Sequence, residues 1–278
     1  MQDLEGRLAV ITGAASGIGR SLAVACARRG MRVLLSDLDA HGLEGTSALV
    51  ARDDTLVLRA DVSQSEEVAA LAELAFRESP DVALLFNNAG VATGGWIWES
   101  TPQDWQWVLG VNLMGVVHGI QSFVPRMLQQ GRPAHVVNTA SAAGVLSLPA
   151  GSAYCASKHA VVTLSECLHH ELKLNGARIR VSVLCPSFVQ TGIAESERHR
   201  PPDLRPARQP FVPRDERLAR AMNDAPLSAD EVAEITLEGV MRGSFYILPH
   251  GDVRKGVARR AAALIEDREP AIGRLPGM

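Results

Sequence analysis

The 278-residue chain is predicted to fold as one doubly wound α/β domain spanning residues 1–278. Short, nearly continuous apolar runs alternate with longer segments of helical pattern, as expected for a parallel sheet covered on both faces. Because crossovers between parallel strands are almost always right-handed, this alternation favours helices on both sides of the sheet. A glycine-rich segment directly after the first apolar run supports the same fold class.

Seven apolar runs are predicted to be the strands of this sheet. They cover residues 7–12, 31–37, 55–59, 82–87, 134–140, 179–185 and 244–249. The first helix is predicted over residues 17–30, with Gly30 as its stop. Ser63 with Glu66, and Ser228 with Glu231, have the spacing of a capping box, which predicts two further helix starts.

Residues 192–226 interrupt the alternation. This segment contains six prolines and seven arginines and has no clear strand or core helix. It follows the sixth strand, at the carboxyl edge where such sheets bind ligands, so we interpret it as a substrate lid. A surface or oligomer-contact loop is the alternative. Residues 252–278 are predicted to form an amphipathic helix, up to residue 267, and a tail that pack on the domain or on a neighbour.

Composition excludes several classes of protein. With 28 basic and 31 acidic residues the net charge is −3, which argues against nucleic-acid partners and a polybasic membrane patch. No run reaches the roughly 18 to 20 apolar residues that span a bilayer, and the N-terminal residues lack a signal-peptide pattern. The four cysteines form no C-x-x-C pair, which favours reduced thiols in a cytoplasmic protein. No cluster has metal-ligand spacing, so no metal is expected.

The segment TGAASGIG, residues 12–19, joins the first strand to the first helix. Glycines at such a position let the backbone approach a pyrophosphate, and the helix N-terminus offers free N–H groups to it. A glycine-rich loop alone is a weak signal. Here it lies between a strand and a helix, and an acid ends the second strand. We therefore predict a dinucleotide site that includes Gly13, Ser16, Gly17, Ile18 and Gly19.

Asp37 is that acid. A carboxylate there accepts hydrogen bonds from the adenosine ribose and repels a 2′-phosphate, which favours NAD over NADP. Leu38 follows and supplies no charge for a phosphate. Asp61 and Val62 end the third strand, where they are placed to meet the adenine, although Asp61 fits a helix-capping role nearly as well.

Several motifs together resemble the classical short-chain dehydrogenases/reductases. They are TGAASGIG, NNAG at residues 87–90, Asn112 in VNLMG, Ser141 in NTASAAG, and Tyr154 with Lys158 in YCASK. The motifs occur in family order and at family spacing, and the resemblance covers essentially the whole chain. One departure is Ser187, which stands where the family usually has glycine after Pro186.

The resemblance implies a Rossmann-type sheet of order 3-2-1-4-5-6-7 and an NAD(P)-dependent oxidoreductase. It implies a catalytic tetrad of Asn112, Ser141, Tyr154 and Lys158. It also implies a homodimer or homotetramer, with the helix after residue 101 and the helix of Tyr154 at the dimer face. The further cofactor contacts that it implies are Asn88, Ala89, Gly90, Thr139, Tyr154, Lys158, Pro186, Val189 and Thr191.

The tetrad residues suit an exchange between an alcohol and a ketone. Tyr154 and Lys158 are four residues apart and share one helix face. A phenol has a pKa of about 10, so it must be lowered by about three units, or about 4 kcal/mol, to act as a base near neutral pH. A nearby ammonium and a positive nicotinamide ring supply that stabilisation. Ser141 can donate to the substrate oxygen, and Asn112 can position a water that relays the proton.

The substrate is predicted to be a bulky, apolar, even aromatic secondary alcohol or its ketone. Trp96 and Trp98 follow NNAG and are candidates for one cleft wall, and Leu146, Leu148 and Ala150 add further apolar lining. Trp105 and Trp107 are expected to pack inside the fold. Residues 123–138, 193–201 and 245–254 also resemble stretches of bacterial dehydrogenases that oxidise the benzylic alcohol of lignin-type aryl ethers. The substrate contacts proposed from the sequence are Ser141, Tyr154, Trp96 and Leu148.

Other functions remain open at this stage. A 3-oxoacyl-thioester reductase normally prefers NADP and lacks such a lid, so Asp37 and residues 192–226 argue against it. Extended epimerases and dehydratases are longer and space their glycines differently. A catalytically inactive binding homologue is a third alternative, against which the intact tetrad argues.

Overall fold

A computed structural model describes residues 4–206 and 224–270. Its strands form one parallel sheet in the order β3-β2-β1-β4-β5-β6-β7, which confirms the predicted fold class. The strands are β1 Leu8–Thr12, β2 Arg32–Asp37, β3 Leu56–Arg59, β4 Val82–Asn87, β5 Ala134–Thr139, β6 Ile179–Leu184 and β7 Tyr246–Ile247.

Helices cover both faces of the sheet. They are α1 Gly17–Arg28, α2 Ala40–Val50, α3 Ser65–Glu78, α4 Pro102–Leu109, α5 Gly115–Gln130, α6 Ser152–Leu174, α7 Ala229–Arg242 and α8 Gly251–Ile265. A π-helical turn, Gly110–Met114, joins α4 to α5 without a break. The order β3-β2-β1-β4 reverses direction between β1 and β4, so the carboxyl ends of these two strands open onto a crevice.

Two apolar layers hold the helices against the sheet. On one face, α1 and α7 pack around Leu22, Phe86 and Val232; on the other, α3 and α5 pack around Leu71 and Phe123. Every residue of β1, β4 and β5 is buried, as expected for central parallel strands with helices on both sides. The rigid sheet therefore fixes where the loops at its carboxyl edge begin.

Of the two capping boxes predicted from the sequence, one is confirmed and the other is wrong. Ser228 and Glu231 form the predicted capping box of α7, and Thr101 with Asp104 forms another at α4. The box predicted from Ser63 and Glu66 is wrong. There α3 begins at Ser65, and its N-cap Gln64 makes no side-chain bond to the helix.

The reason lies in a local turn that precedes α3. Asp61 accepts the amide of Ser63 at 2.9 Å, and Glu67 accepts the amide of Asp61 at 2.7 Å. Asp61 rather than Ser63 thus organises the helix entry. The last strand is also shorter than predicted, because only Tyr246 and Ile247 pair with β6.

The continuous helix Pro102–Gln130 is long and apolar enough to cross a membrane by length and composition alone, although no unbroken apolar run of that length occurs in it. Half of its most apolar window is buried inside the fold. Core helices of this kind satisfy the same test, and this one packs against α3 and α6. The finding is therefore weak evidence for a membrane span.

The predicted lid is described only in part, because residues 207–223 lie outside the described residues. Its first section consists of the 3-10 segments Gly192–His199 and Pro202–Leu204. Val189 and Leu227 pair as an isolated bridge, so the two ends of the segment leave the sheet close together. The C-terminal helix is present as α8, and residues 271–278 of the predicted tail also lie outside the described residues.

Candidate active site

A cavity of about 1720 Å³ opens at the carboxyl edge of the sheet. All residues named from the sequence as cofactor contacts, from Gly13 to Thr191, lie on its wall. So do Ser141, Trp96 and Leu148, which were named as substrate contacts, whereas Asn112 is fully buried behind the wall. The volume exceeds the roughly 300 to 1,000 Å³ of a typical ligand pocket, so it can accommodate two ligands side by side.

The loop between β1 and α1 fits a pyrophosphate. Gly13 has φ +68°, and a Cβ there would lie 2.8 Å from the Cα of Ala89, so no side chain fits. Ser16 is the N-cap of α1 and makes no side-chain bond to it. The first amides of α1, from Gly17 onwards, therefore keep their donors for an anion at the positive end of the helix dipole.

Asp37 lies at the end of β2 and is held by two backbone amides. Ala15 N–H donates to one carboxylate oxygen and Asp39 N–H to the other, both at 3.0 Å. A carboxylate has about four lone-pair sites, so each oxygen retains capacity for a ribose hydroxyl. These two bonds fix the carboxylate on the cavity wall.

Asn88 connects the first and fifth strands beneath the cavity. Its Nδ2 donates to Thr12 O at 3.1 Å, and its Oδ1 accepts from the Thr139 hydroxyl at 3.2 Å. Its own amide donates to the Thr12 hydroxyl at 2.9 Å. Asn88 thus holds the loop of Ala89 and Gly90 against the glycine-rich loop. Asp61, which organises the entry to α3, also lies on the wall at this end.

The tetrad comes together where β5 and α6 meet. Ser141 follows β5 and is the N-cap of the short turn Ala142–Gly144, with its hydroxyl accepting the Ala143 amide at 3.1 Å. Tyr154 lies in the first turn of α6, and like Ser141 it lines the cavity. Lys158 follows one turn later, with its Nζ 5.7 Å from the centre of the Tyr154 ring.

Burial acts on the protonation of both Tyr154 and Lys158. Burial raises the pKa of Tyr154, and the hydrogen bond with Ser141 opposes that rise only in part. Burial lowers the pKa of Lys158 to about 8, so the ammonium keeps its proton at neutral pH. One of its three donors goes to the Thr139 carbonyl at 2.9 Å. The lowering of the phenol pKa that base catalysis needs therefore depends on further positive charge.

Asn112 occupies the π-helical turn between α4 and α5. Its Oδ1 accepts the Val91 amide at 2.8 Å, and its Nδ2 donates to Val91 O and to Ser157 Oγ at 2.9 and 3.0 Å. The side chain is thus fully engaged in joining the loop after β4 to α6. Any water that Asn112 positions must therefore be held by its main chain. A π-helical turn interrupts the regular α-helical hydrogen-bond pattern, and such turns are frequent at functional sites.

The loop after β6 is held in a way that the sequence did not reveal. Ser187, the departure from the family pattern, donates its amide to Nδ1 of His250 at 3.1 Å, and Nε2 of His250 faces Phe188 O at 3.1 Å. This pattern requires a neutral ring with its proton on Nε2. Burial lowers the pKa of His250, which favours that form. His250 thereby links the start of α8 to the loop between Pro186 and Val189.

The other end of the cavity is largely apolar. Trp96 lies on its wall, beside a backbone bridge between Gly95 and Gly151, and Leu146 and Leu148 face it. Of the two candidates for an apolar wall, Trp96 lines the cavity and Trp98 does not. Trp98 stacks on Trp96 with ring centres 5.3 Å apart, but it is 76 % exposed and does not line the cavity.

The first section of the predicted lid is anchored to α4. Arg200 is 3 % exposed, forms an ion pair with Asp104 at 2.7 Å, and lies 4.9 Å over the Trp107 ring. Arg200 Nε also donates to Leu204 O at 2.8 Å. Trp107 packs inside the fold, as expected, and Trp105 is partly buried beside it. The part of the cavity wall that this section forms is thus held in place as far as Leu204.

Helix α8 closes the remaining side of the cavity. A Cβ on Gly256 would lie 2.8 Å from Leu146, so the helix backbone approaches the segment between Ser141 and Tyr154 closely. The amphipathic pattern predicted that this helix packs on the domain or on a neighbour. It did not predict that the helix lines the active site. The helix residues that line the cavity are Asp252, Val253, Lys255, Gly256, Arg259, Arg260, Ala263 and Leu264.

Comparisons with known proteins agree with this geometry. The sequence profile described as short chain dehydrogenase matches residues 7–202. A short-chain dehydrogenase/reductase from Burkholderia phymatum, crystallised in complex with NAD, is 45 % identical with a TM-score of 0.95, over 99 % of each chain. A CLA biosynthesis dehydrogenase/reductase of Lactiplantibacillus plantarum is 31 % identical over 100 % of both chains. A C alpha-dehydrogenase of Sphingobium sp. strain SYK-6 is 33 % identical, over 97 % of this chain and 89 % of the relative.

Proposed function

The chain belongs to the short-chain dehydrogenase/reductase family of oxidoreductases, and from that premise we propose that it is an NAD-dependent dehydrogenase of secondary alcohols. The observation that carries the proposal is that Ser141, Tyr154 and Lys158 share the wall of the large cavity, with the Lys158 Nζ 5.7 Å from the centre of the Tyr154 ring. The glycine loop and Asp37 fit the pyrophosphate and ribose of the cofactor. The solved relative with bound NAD supports the choice of dinucleotide.

NAD, when bound, supplies a hydride acceptor at C4 of a positively charged nicotinamide ring. In alcohol oxidation Tyr154 takes the hydroxyl proton of the substrate, and in ketone reduction it returns that proton to the carbonyl oxygen. Ser141 donates a hydrogen bond to the same oxygen as negative charge develops on it. Lys158 holds a positive charge beside the phenol and retains donors for the nicotinamide ribose hydroxyls.

Buried, preorganised groups suit this task. Because Lys158 is buried and Tyr154 partly so, the Lys158 charge acts on the phenol through a medium of lower dielectric than water. Asn112 acts by position, since its side chain ties the loop of Val91 to α6 and so keeps Tyr154 opposite Ser141. The main-chain turn at Asn112 is the place where a water can accept the proton that leaves the phenol.

The proposed substrate is a bulky secondary alcohol with an apolar body, or the corresponding ketone. Trp96, Leu146 and Leu148 supply the apolar wall, and the relatives include a C alpha-dehydrogenase, which is consistent with such a substrate. We further propose a cytoplasmic location, which four unpaired cysteine thiols support. A homodimer or homotetramer is the proposed assembly.

The test is a panel of secondary alcohols assayed by the absorbance of NADH. We expect turnover of aryl and long alkyl carbinols with NAD, and kcat/KM values at least about tenfold lower for small polar alcohols, which cannot bury comparable apolar area. Turnover restricted to small alcohols without an apolar body would contradict the proposed substrate class. No turnover of any secondary alcohol or ketone would contradict the proposed reaction.

Replacing Asp37 by asparagine is expected to reduce the preference for NAD over NADP by about tenfold or more, because it removes the charge that repels a 2′-phosphate. Asparagine keeps the shape and one acceptor for the amides of Ala15 and Asp39. The ratio of kcat/KM for the two cofactors is the measurement. Asp61→Asn removes a carboxylate from the same cavity wall and should leave that ratio unchanged. An unchanged ratio in Asp37→Asn would remove Asp37 as the selecting residue.

A further inference from the structure

The α8 side of the cavity carries positive charge that the apolar substrate described above does not use. Lys255, Arg259 and Arg260 all line the cavity, and all three side chains are exposed. Within residues 4–206 and 224–270, none of the three forms an ion pair or a side-chain hydrogen bond. By contrast, Arg254 on the same helix donates to Leu248 O at 3.2 Å and does not line the cavity.

The helical register explains why these cations face the cleft. Val253, Gly256 and Ala263 form the buried face of α8. Arg260 lies four residues after Gly256 and three before Ala263, so it projects from that same face. Its exposure means that it extends into the open cavity instead of the core. Lys255 and Arg259, four residues apart, flank this face on one side.

Among residues 4–206 and 224–270, the acids near this group do not neutralise it. The acids on the same part of the wall are Asp252, in the first turn of α8, and Asp203. Arg198 and His199 contribute further basic side chains from the segment after β6. Arg198 pairs with Glu195 at 3.4 Å, and Arg268 pairs with Glu266 at 2.8 Å. Among the described arginine and lysine side chains of this part of the wall, Lys255, Arg259 and Arg260 therefore keep their charge available for a ligand.

We propose that the substrate is amphipathic, with its carbinol at Tyr154 and an anionic group bound by Lys255, Arg259 and Arg260. This proposal rests on the proposed function and adds the chemical class of the substrate. The apolar body lies along Leu146 and Leu148, next to which Gly256 brings α8 into contact. Guanidinium groups bind carboxylates and phosphates through charge-assisted, often bidentate hydrogen bonds, and either anion satisfies these donors.

The experiment uses carbinols that carry a carboxylate on alkyl spacers of increasing length, each matched with its methyl ester. With NAD and the wild-type enzyme, we expect the acid of the fitting length to have a KM about tenfold or more below that of its ester, at similar kcat. A matched series that carries a phosphate monoester distinguishes the two anions. The lower KM of the two series identifies which one the site binds.

The variant K255Q/R259Q/R260Q removes the three charges and keeps polar side chains of similar reach. We expect it to lose the preference for acid over ester, because the KM of the acid rises to that of its ester. R254Q, on the same helix but outside the cavity, is the matched control and should keep the preference. The inference is overturned if the wild type treats acid, phosphate and ester alike, or if the triple variant retains the preference. In either case turnover of the esters would leave the proposed reaction intact, whereas its absence would contradict that reaction.

Discussion

Replacing Tyr154 by phenylalanine is expected to lower kcat by about a thousandfold, within the range of about 10² to 10⁴ that a positioned acid or base contributes. The phenol is the group that can exchange a proton with the substrate oxygen, and it lines the cavity together with Ser141. Phenylalanine keeps the ring, its packing in α6 and the 5.7 Å approach of the Lys158 ammonium. The loss should therefore fall on the chemical step and leave the fold unchanged.

The chain offers a matched control in Tyr246, since it contains two tyrosines in all. Tyr246 lies on β7, and its hydroxyl contacts Glu166 at 2.5 Å, away from the cavity wall. Tyr246→Phe removes the same atom and should leave kcat near the wild-type value. Binding of NADH, followed by its fluorescence, should be preserved in both variants. Substantial NAD-linked turnover by Tyr154→Phe would show that the proton is transferred by another group.

Local sequence patterns predicted most of the sheet, because a buried parallel strand needs an unbroken apolar run and little else in this chain has one. Val82–Asn87 was predicted to the residue for that reason. The shortening of β7 was not predictable from its apolar run, because only Tyr246 and Ile247 of that run pair with β6. Capping boxes are also local, but Ser63 shows that a neighbouring acid can organise the same helix entry in a different way.

The same distinction applies to the site. Tyr154 and Lys158 are brought together by helical spacing alone, and the glycine loop by its place between β1 and α1, so motif and register were sufficient to name them. The contact between His250 and Ser187 joins residues 63 positions apart, and nothing in either local sequence signals it. The place of α8 at the cavity depends in the same way on tertiary packing. The sequence therefore showed that α8 is basic, but it did not show that these basic residues line the cavity.

Replacing Arg200 by methionine is expected to destabilise the protein by about 3 kcal/mol, since breaking a buried ion pair costs about 3 to 5 kcal/mol. Asp104 would remain buried, and its hydrogen bonds from the Thr101 amide and hydroxyl, both at 2.8 Å, place the loss at the lower end of that range. Arg200 also covers Trp107 and holds the segment that ends at Leu204. A raised KM for substrate should accompany the loss of stability, because that segment lines the cavity.

The measurement is the free energy of unfolding from denaturant titration, with Arg198→Met as the control. Arg198 pairs with Glu195 at the surface, at 3.4 Å, and such exposed pairs contribute about 0 to 1 kcal/mol. The two variants therefore separate a buried from an exposed arginine within one segment. An equal and small loss in both would show that the Asp104 pair does not anchor the segment.

The pH dependence of the free energy of unfolding is a second, independent test of the role of the Arg200–Asp104 ion pair. Burial alone would raise the pKa of Asp104, but the hydrogen bonds from Thr101 and the guanidinium of Arg200 outweigh it and hold that pKa below its usual value. A carboxyl with a depressed folded-state pKa stabilises the protein above its unfolded pKa of about 4, and that contribution disappears as the pH falls through the folded pKa. The difference in stability between wild type and Arg200→Met should therefore be full at neutral pH and shrink below about pH 4. A difference that stays constant across this range would assign the role of Arg200 to its packing on Trp107 rather than to its charge.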